Sequence, residues 1–468
     1  MNEFQYIAPK VQGDLVCDSG PDLERIVRDL ADPILRRAHY KAETERRDLV
    51  EQVVNAFEER REACPIDVTG PLNGLPISVK DQVAVAGWRR SFGQEKRTKR
   101  PDRESALLVK RLEDLGAVVT GKTALPPNAM DFQTGNARRG PTCNPHDPRF
   151  TTGGSTGGGA AAVASGMSIL DVGADLAGSL RVPAAWCGVC SYVPTEGFWF
   201  NDGLLRGSQR LSHFARIGLT ARSARDLAYI WHVLEPSAET KSEKASPVRL
   251  AIWSAGSHAP CDSNTAYAWR AFSQVLHDAP CDPEPADMDS LFEDSVYQLG
   301  GEMIGHMTGA LLPALIRWML RRDRRAAESS PGFVSHVHTG YKRDKARHQT
   351  NLQRMRTLRD AAAQDWAEYD ALLLPVTSVS AFEHMRPAKD WNGVRTYEQQ
   401  FNTGAGPLGY FDAMTRFTLP LTVLGWPVVT LPIGRDSNGL PVGAQLVGKP
   451  RDDGRLLAIA EQIQAALH

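Results

Sequence analysis

The stretch from Thr151 to Thr195 reads TTGGSTGGGAAAVASGMSILDVGADLAGSLRVPAAWCGVCSYVPT, and the interpretation of the rest of the chain depends on it. It contains a glycine-rich loop around Ser155, an alanine-rich segment and a second loop of small residues around Ser179. Glycine lets a backbone approach a ligand closely, so this composition is suited to presenting hydroxyls and amide N–H groups to a bound molecule. The two serines are therefore candidate functional residues.

The composition of the chain is that of an ordinary globular protein. It has 468 residues, of which 42% are hydrophobic and 23% are charged, and its formal net charge is -1. So small a net charge gives no whole-chain attraction to nucleic acid or to an anionic membrane. The amino terminus lacks the basic-then-apolar order of a secretory signal, and no apolar run reaches the ~20 residues of a membrane span. We expect a cytoplasmic protein with neither a nucleic-acid nor a membrane partner.

Strand and helix patterns follow one another along the chain and predict an α/β fold. Ile77–Lys80 alternates apolar and polar residues as a strand does, Ser105–Leu115 has helical spacing, and Ala117–Thr120 is a further short strand. Helical spacing also dominates from Gly20 to about Arg61. We predict a peripheral helical layer over residues 1–70 and one large domain over residues 71–468, with a central mixed β-sheet covered by helices.

Three later segments carry further predictions. The spacing of apolar residues favours a helix from Gly218 to Leu234, whereas VSHVH at Val334–His338 is strand-like. Leu419–Gly448 predicts two strands joined by an Asn-Gly turn. His336 and His338 have the spacing of metal ligands on a strand, but without an acidic or cysteine neighbour an exposed pair is favoured.

Three short motifs suggest other chemistry, and their context argues against each. GAVVTGKT at Gly116–Thr123 fits the P-loop pattern, but prolines follow where the P-loop helix should begin. Gly153–Gly157 fits the nucleophile elbow with Ser155 as nucleophile, yet the preceding residues are polar and proline-interrupted, unlike a buried strand. Cys187 and Cys190 form a CxxC without a second pair nearby, so buried thiols are favoured over a metal site.

Four ordered motifs together resemble the amidase signature family. They are GLPISVKD with Lys80, GGSTGG with Ser155, GADLAGSLRVPAAWCGV with Ser179, and the closing GLPVGAQLVG. The separations, 75 residues from Lys80 to Ser155 and 24 from Ser155 to Ser179, also resemble those of the family. The resemblance covers Leu72–Ala458, is weakest from Pro236 to Arg359, and implies the amidase signature fold.

The resemblance also implies a role for each of these residues. Ser179 would be the nucleophile that forms an acyl-enzyme, Ser155 would relay a proton, and Lys80 would be the base. Because free lysine has a pKa of about 10.4, Lys80 would need a lowered pKa to act as a base. Ser155 would follow a cis peptide bond.

The backbone N–H groups expected to form the oxyanion hole belong to Leu176, Ala177, Gly178 and Ser179. The residues expected to bind substrate are Gly154, Thr156, Asp175 and Arg181. Since all these groups are protein groups, no metal ion or organic cofactor is expected.

The loop before Ser179 departs from the family pattern. The usual order is Thr-Asp-x-Gly-Gly-Ser, but here Ala174 replaces the threonine and Ala177 replaces a glycine. The methyl group of Ala177 is expected to restrict backbone angles and narrow the loop. The candidate catalytic residues are retained, and the change is expected to affect catalytic efficiency and substrate preference.

What the resemblance implies is an amidase that hydrolyses the C–N bond of a small linear carboxamide. Two alternatives stay open: a glutamine-dependent amidotransferase-type subunit, which releases ammonia for a partner, and a catalytically weakened member that acts as a binding protein. A homodimer is also left open. The substrate pocket is expected to include parts of a variable region around residues 236–411. Trp186, Trp199 and Trp391 could line it, but core packing is favoured.

Overall fold

The computed structural model describes most of the chain. The described residues are 15–17, 21–62, 64–65, 67–96, 98, 100–199, 201–204, 213–236, 248–254, 260–277, 283–391 and 394–467. The amino-terminal segment, which was predicted to lack a secretory signal, therefore lies mostly outside them. Among the described residues, no helix combines the length and apolar character needed to cross a membrane.

Helices and strands alternate through most of the described chain. The helices are α1 Leu23–Asp29, α2 Pro33–Val54, α3 Leu107–Asp114, α4 Gly157–Ala164, α5 Arg181–Cys187, α6 Ala224–Leu234, α7 Ser263–His277, α8 Asp294–Thr308, α9 Ala314–Leu320, α10 Arg324–Ser329, α11 Val334–Gly340, α12 Lys345–Asp365, α13 Tyr410–Thr415, α14 Thr418–Leu424 and α15 Asp453–Ala466. The strands are β1 Phe57–Arg60, β2 Pro76–Lys80, β3 Val118–Thr123, β4 Gly135–Asn136, β5 Gly140–Pro141, β6 Leu170–Asp175, β7 Cys190–Val193, β8 Arg216–Ala221, β9 Leu250–Trp253, β10 Glu284–Ala286, β11 Ala371–Pro375, β12 Lys389–Trp391, β13 Val394–Thr396, β14 Gln400–Thr403, β15 Gly406–Gly409, β16 Val428–Arg435 and β17 Pro441–Gly448.

Eleven of these strands form one central sheet in the order β1-β3-β2-β6-β8-β7-β16-β17-β11-β9-β10. Strand β2 is parallel to β3 and β6, whereas β6 and β8, β7 and β8, and β16 and β17 are antiparallel pairs. Every residue of β2, β6, β8 and β17 is buried, as expected for strands that are covered on both faces. The predicted α/β fold with a mixed sheet is confirmed, and so is the hairpin of β16 and β17.

The first 70 residues contain the predicted helices and one strand that was not predicted. Helix α2 begins after Asp32, whose carboxylate accepts hydrogen bonds from two backbone amides of the first turn, and ends at Asn55 in the left-handed conformation. The chain then forms β1, which pairs antiparallel with β3 at the edge of the main sheet. The boundary at residue 70 stays a prediction, but β1 joins this segment to the central sheet.

One predicted helix began too early, and one predicted strand was wrong in type. Within the segment Gly218–Leu234, the residues up to Ala221 belong to β8 and only Ala224–Leu234 is helical. The strand-like Val334–His338 belongs instead to helix α11. His338 is buried rather than exposed, so the prediction of an exposed histidine pair was also wrong.

Two of the three misleading motifs have structural roles. Lys122 of GAVVTGKT is buried in β3, where its ammonium group contacts the backbone carbonyl of Val83, and no helix follows. Burial raises the pKa of the Cys187 and Cys190 thiols, which keeps them protonated. The residues described contain no group of three His, Cys, Asp or Glu side chains that could hold a metal ion.

Candidate active site

Lys80 is the last residue of β2, and its side chain is fully buried. Its ammonium nitrogen lies 2.7 Å from Ser155 Oγ and 2.9 Å from Thr156 Oγ1, and it donates hydrogen bonds to both. These contacts are hydroxyls rather than carboxylates, so no ion pair at this distance holds the lysine in its charged form. The central β-strand thus presents an amine directly to the glycine-rich loop.

The protonation of Lys80 is set mainly by its burial. Burial lowers the pKa of Lys80 to about 7, while the negative charges of Asp171 and Asp175 oppose this effect. Asp171 is itself fully buried, and its Oδ1 accepts hydrogen bonds from the Ser78 and Thr123 hydroxyls at 2.7 and 3.0 Å. Near neutral pH, a substantial fraction of Lys80 is therefore neutral and able to accept a proton.

Ser155 lies immediately before α4 and follows a cis peptide bond from Gly154. Gly154 allows a close approach here, because a Cβ atom on it would lie 2.5 Å from the backbone oxygen of Asp131. No strand among the described elements leads into Ser155, so the local structure lacks the strand that a nucleophile elbow requires. Ser155 is 1% exposed, which leaves its hydroxyl accessible mainly to Lys80 and the adjacent loop.

Ser179 lies in the loop between β6 and α5 and is only partly buried. Its backbone carbonyl accepts a hydrogen bond of 3.0 Å from the amide of Thr156, which joins the two serine loops directly. Gly178 has a φ of 118°, a conformation that strongly favours glycine. Ala177 is not among the described residues of positive φ, so its methyl group causes no backbone strain of that kind; the narrowing of the loop stays a prediction.

The amides of this loop fall into two groups. Gly178 N–H donates to the Asp175 carboxylate at 2.9 Å, so this amide is already occupied. The backbone N–H groups of Leu176, Ala177 and Ser179 have no hydrogen-bond acceptor among the described residues. Three of the four amides predicted for the oxyanion hole are therefore available to a ligand.

Asp175 and Arg181 form a buried ion pair beneath the loop that carries Ser179. Both side chains are fully buried, and their closest charged atoms are 2.9 Å apart. Burial alone would raise the pKa of Asp175, but the Arg181 guanidinium outweighs it and holds the pKa well below its usual range. Arg181 also donates to the Thr418 carbonyl, to Gln445 and to Thr422 at 3.0, 2.9 and 2.8 Å.

The geometry does not support the substrate contacts predicted for Gly154, Thr156, Asp175 and Arg181. All four are buried, and none lines the cavity beside Ser179. The Thr156 hydroxyl already forms hydrogen bonds with the Lys80 side chain and with the Ala174 carbonyl. Asp175 and Arg181 form an ion pair with each other and also bond to backbone groups. The polar side chains of Thr156, Asp175 and Arg181 instead hold the two serine loops in place.

A cavity of about 140 Å³ lies beside Ser179 and the free amides. Its wall is mainly apolar, and much of it comes from α8–α11 and from β12–β13, within the region 236–411. The residues that line it are Ala129, Met130, Asp131, Phe132, Leu176, Ala177, Ser179, Ile304, Thr308, Leu320, Asp323, Ala326, Ser329, Phe333, Val334, Val337, His338, Tyr341, Lys389, Val394, Arg395, Thr396 and Phe411. Trp186 and Trp199 are in the core instead, and the Trp391 side chain lies outside the described part of the chain.

Asp131 is the most highly connected residue of the cavity wall, and the sequence reasoning missed it. Its carboxylate accepts hydrogen bonds from the hydroxyls of Tyr397 and Tyr410 at 2.6 and 2.8 Å and pairs with Arg395 at 3.0 Å. Since its backbone oxygen also packs against Gly154, this cluster links the cavity wall to the glycine-rich loop. No local pattern marks it, because its partners lie more than 260 residues away along the chain.

Comparison with known proteins agrees with this arrangement. The family model described as Amidase matches residues 47–457, which is most of the chain. The chain belongs to the amidase signature family. As an amidohydrolase of that family, it has the buried lysine and the two serine loops in the order and fold that the sequence motifs predicted.

Individual relatives of this amidase-family protein differ in their activities. It is 28% identical over 439 residues to a glutamyl-tRNA(Gln) amidotransferase subunit of Deinococcus radiodurans, covering 85% of each chain. It is also 28% identical over 416 residues to the candidate amidase AmiA2 of Mycobacterium bovis, covering 85% of this chain and 80% of that one. A solved amidase structure superimposes with a TM-score of 0.78 at 25% identity, covering 96% of this chain and 100% of the other.

Proposed function

We propose that this amidase-family protein hydrolyses the C–N bond of a small linear carboxamide through an acyl-enzyme on Ser179. The observation that carries the proposal is the 2.7 Å hydrogen bond between Lys80 Nζ and Ser155 Oγ in a fully buried site without a carboxylate in contact. Such a lysine is a base poised near neutral pH. The free amides of Leu176, Ala177 and Ser179 support the proposal because they can stabilise an oxyanion.

The proposed reaction begins when Ser179 Oγ forms a bond to the amide carbonyl carbon. The proton of Ser179 passes to Ser155, whose own proton passes to neutral Lys80, while the carbonyl oxygen becomes an oxyanion bound by loop amides. The C–N bond then breaks as the leaving nitrogen takes a proton back through Ser155. Water next attacks the acyl-enzyme by the same proton route and releases the carboxylic acid.

The direct test of the proposal is release of ammonia and acid from primary amides by the purified protein. We expect measurable turnover of a simple neutral amide without added metal ion or partner protein. Thr156→Ser, which keeps a hydroxyl near Lys80, should retain turnover, whereas Lys80→Met should lose it. Absence of turnover for every amide, combined with intact ligand binding, would favour the catalytically weakened binding protein instead.

The rate of hydrolysis is expected to rise with pH through a value near 7. Lys80 acts as a base only when neutral, and its pKa of about 7 means that the neutral form is lost below this pH. We therefore expect kcat/KM to fall about tenfold per pH unit below 7 and to be constant from about pH 8 to 9. The measurement is a pH–rate profile between pH 5 and 9.

Lys122 provides a matched control for this profile. It is also a fully buried lysine of the central sheet, and burial lowers its pKa to about 8, but it contacts the Val83 carbonyl rather than a serine loop. Lys122→Met should therefore keep the inflection near pH 7. A profile that lacks an inflection in the wild-type protein, or that shifts in Lys122→Met, would contradict the assignment of the base to Lys80.

A second candidate function is an amidotransferase-type subunit that takes ammonia from glutamine. It is favoured by the likeness to the glutamyl-tRNA(Gln) amidotransferase subunit from Deinococcus radiodurans. The charges of the cavity wall argue against it, because both cations that line the cavity are already paired with carboxylates. An assay of glutamine hydrolysis, with and without candidate partner proteins, separates the two functions.

A further inference from the structure

The cavity beside Ser179 has room for a small ring or a short chain. Its volume is about 140 Å³, and an apolar cavity of about 150 Å³ in another protein holds one benzene molecule. Phe132, Ile304, Phe333 and Val337 are among the apolar side chains in its wall. A six-membered ring or a chain of about six carbon atoms therefore matches the space and the surface.

The charged groups of the wall compensate one another. Arg395 Nη1 lies 3.0 Å from Asp131 Oδ2, and Lys389 Nζ lies 3.1 Å from Asp323 Oδ2. Asp131 also accepts the two tyrosine hydroxyls described above, so its carboxylate is well satisfied. A charged substituent that enters this cavity would lose hydration without gaining an unpaired counterion, which is costly.

His338 is the exception to this satisfied wall. Its side chain lines the cavity from α11, it is only 9% exposed, and neither of its ring nitrogens forms a hydrogen bond with a described residue. Its ring stacks on Tyr341, with the ring centres 5.8 Å apart. Burial lowers the pKa of His338 to about 4, so the imidazole is neutral at pH 7 and can donate or accept one hydrogen bond.

We infer, on the basis of the hydrolysis proposed above, that the substrate is a neutral amide with a small apolar acyl group that carries one further hydrogen-bonding group, such as a hydroxyl, for His338. The apolar wall takes the ring or chain, and His338 binds the polar substituent. A polar group in a buried site is costly to leave without a hydrogen bond, so a substrate that supplies this bond gains selectivity. Charged substrates, including glutamine, are disfavoured.

The test compares matched amides with the wild-type protein at pH 8. The pairs are benzamide with 4-hydroxybenzamide and hexanamide with 6-hydroxyhexanamide, and the charged comparisons are 4-carboxybenzamide and glutamine. We expect kcat/KM to be about tenfold higher for the hydroxylated member of at least one pair. The charged amides should be at least about 100-fold poorer than the better neutral amide.

Variants on α11 identify the residue responsible. His338→Phe keeps an aromatic ring without the hydrogen bond, so the hydroxyl preference should fall to about one, whereas His338→Gln should keep a preference. His336→Phe is the matched control, since His336 lies on the same helix but does not line the cavity, and it should keep the wild-type ratio. Each ratio is internal to one protein, so a partial loss of folded protein does not alter it.

The outcomes separate this inference from the proposed function. If neutral amides are hydrolysed but neither pair shows a preference, or if glutamine is preferred, the inference is overturned while the proposed hydrolysis stands. The inference is likewise overturned if a fluorophosphonate labels Ser179 but no neutral amide of the set is hydrolysed. If neither labelling nor hydrolysis occurs, the proposed function itself fails.

Discussion

Replacing Ser179 with alanine is expected to abolish both amide hydrolysis and labelling by a fluorophosphonate probe. Removing the nucleophile of a serine hydrolase lowers kcat on the order of 10⁶-fold, because no acyl-enzyme can form. The fold should be retained, since Ser179 is only partly buried and its hydroxyl has no hydrogen-bond partner among the described residues. The measurements are turnover of a primary amide, mass spectrometry of the labelled peptide and the thermal unfolding midpoint.

Two further variants make this result specific. Ser155→Ala should lower turnover strongly as well, because it interrupts the hydrogen bond from Lys80, but Ser179 keeps the labelled oxygen. Ser273→Ala removes a serine on the remote helix α7, whose hydroxyl donates only to the Trp269 carbonyl, and should behave as the wild type. Labelling that persists in Ser179→Ala and vanishes in Ser155→Ala would make Ser155 the nucleophile.

Replacing Arg181 with methionine is expected to cause the largest loss of stability among these variants. The change leaves the fully buried Asp175 carboxylate without its counterion, and removing one partner of a buried ion pair costs about 3 to 5 kcal/mol of the free energy of unfolding. The loop that carries Ser179 should also lose its position, so turnover should fall. Urea unfolding followed by tryptophan fluorescence measures the first effect, and amide hydrolysis measures the second.

The double variant Asp175→Asn with Arg181→Met tests whether the cost comes from the unpaired charge. Because it removes both charges, it should be less destabilised than Arg181→Met alone. Arg149→Met is the exposed control: Arg149 pairs with Asp147 at the surface, and its loss should leave the free energy of unfolding close to that of the wild type. Equal losses in the single and double variants would place the cost in packing rather than in charge.

The sequence predicts most elements whose pattern is local. Strand β2 and the hairpin of β16 and β17 were predicted because apolar periodicity and an Asn-Gly turn are visible within a few residues. The boundary of α6 was wrong, since the helical spacing runs back into β8; the cap at Ser223, which accepts from the Asp226 amide at 3.1 Å, marks the true start. Helix α11 was missed because a valine–histidine alternation imitates a strand.

The candidate site likewise contains residues that local motifs predicted and residues that they did not. Lys80 and the two serines were predicted from motifs, and the structure brings Lys80 and Ser155 into direct contact. The cavity wall was not predicted, because pairs such as Asp131 with Arg395 join residues 264 positions apart without a local signature. Substrate contacts were predicted for Asp175 and Arg181 because both residues belong to a motif. A motif gives the identity of a residue, whereas burial decides whether its side chain faces a ligand.

The contacts of Arg181 also join the Ser179 loop to the last part of the chain. Arg181 lies two residues after Ser179, but its guanidinium is held by the Thr418 carbonyl and by Gln445, which is 264 residues further along the chain. A nascent chain that ends before Thr418 contains all three proposed catalytic residues without the groups that fix the nucleophile loop. The complete set of contacts that holds the Ser179 loop therefore exists only once the carboxyl-terminal hairpin has joined the sheet.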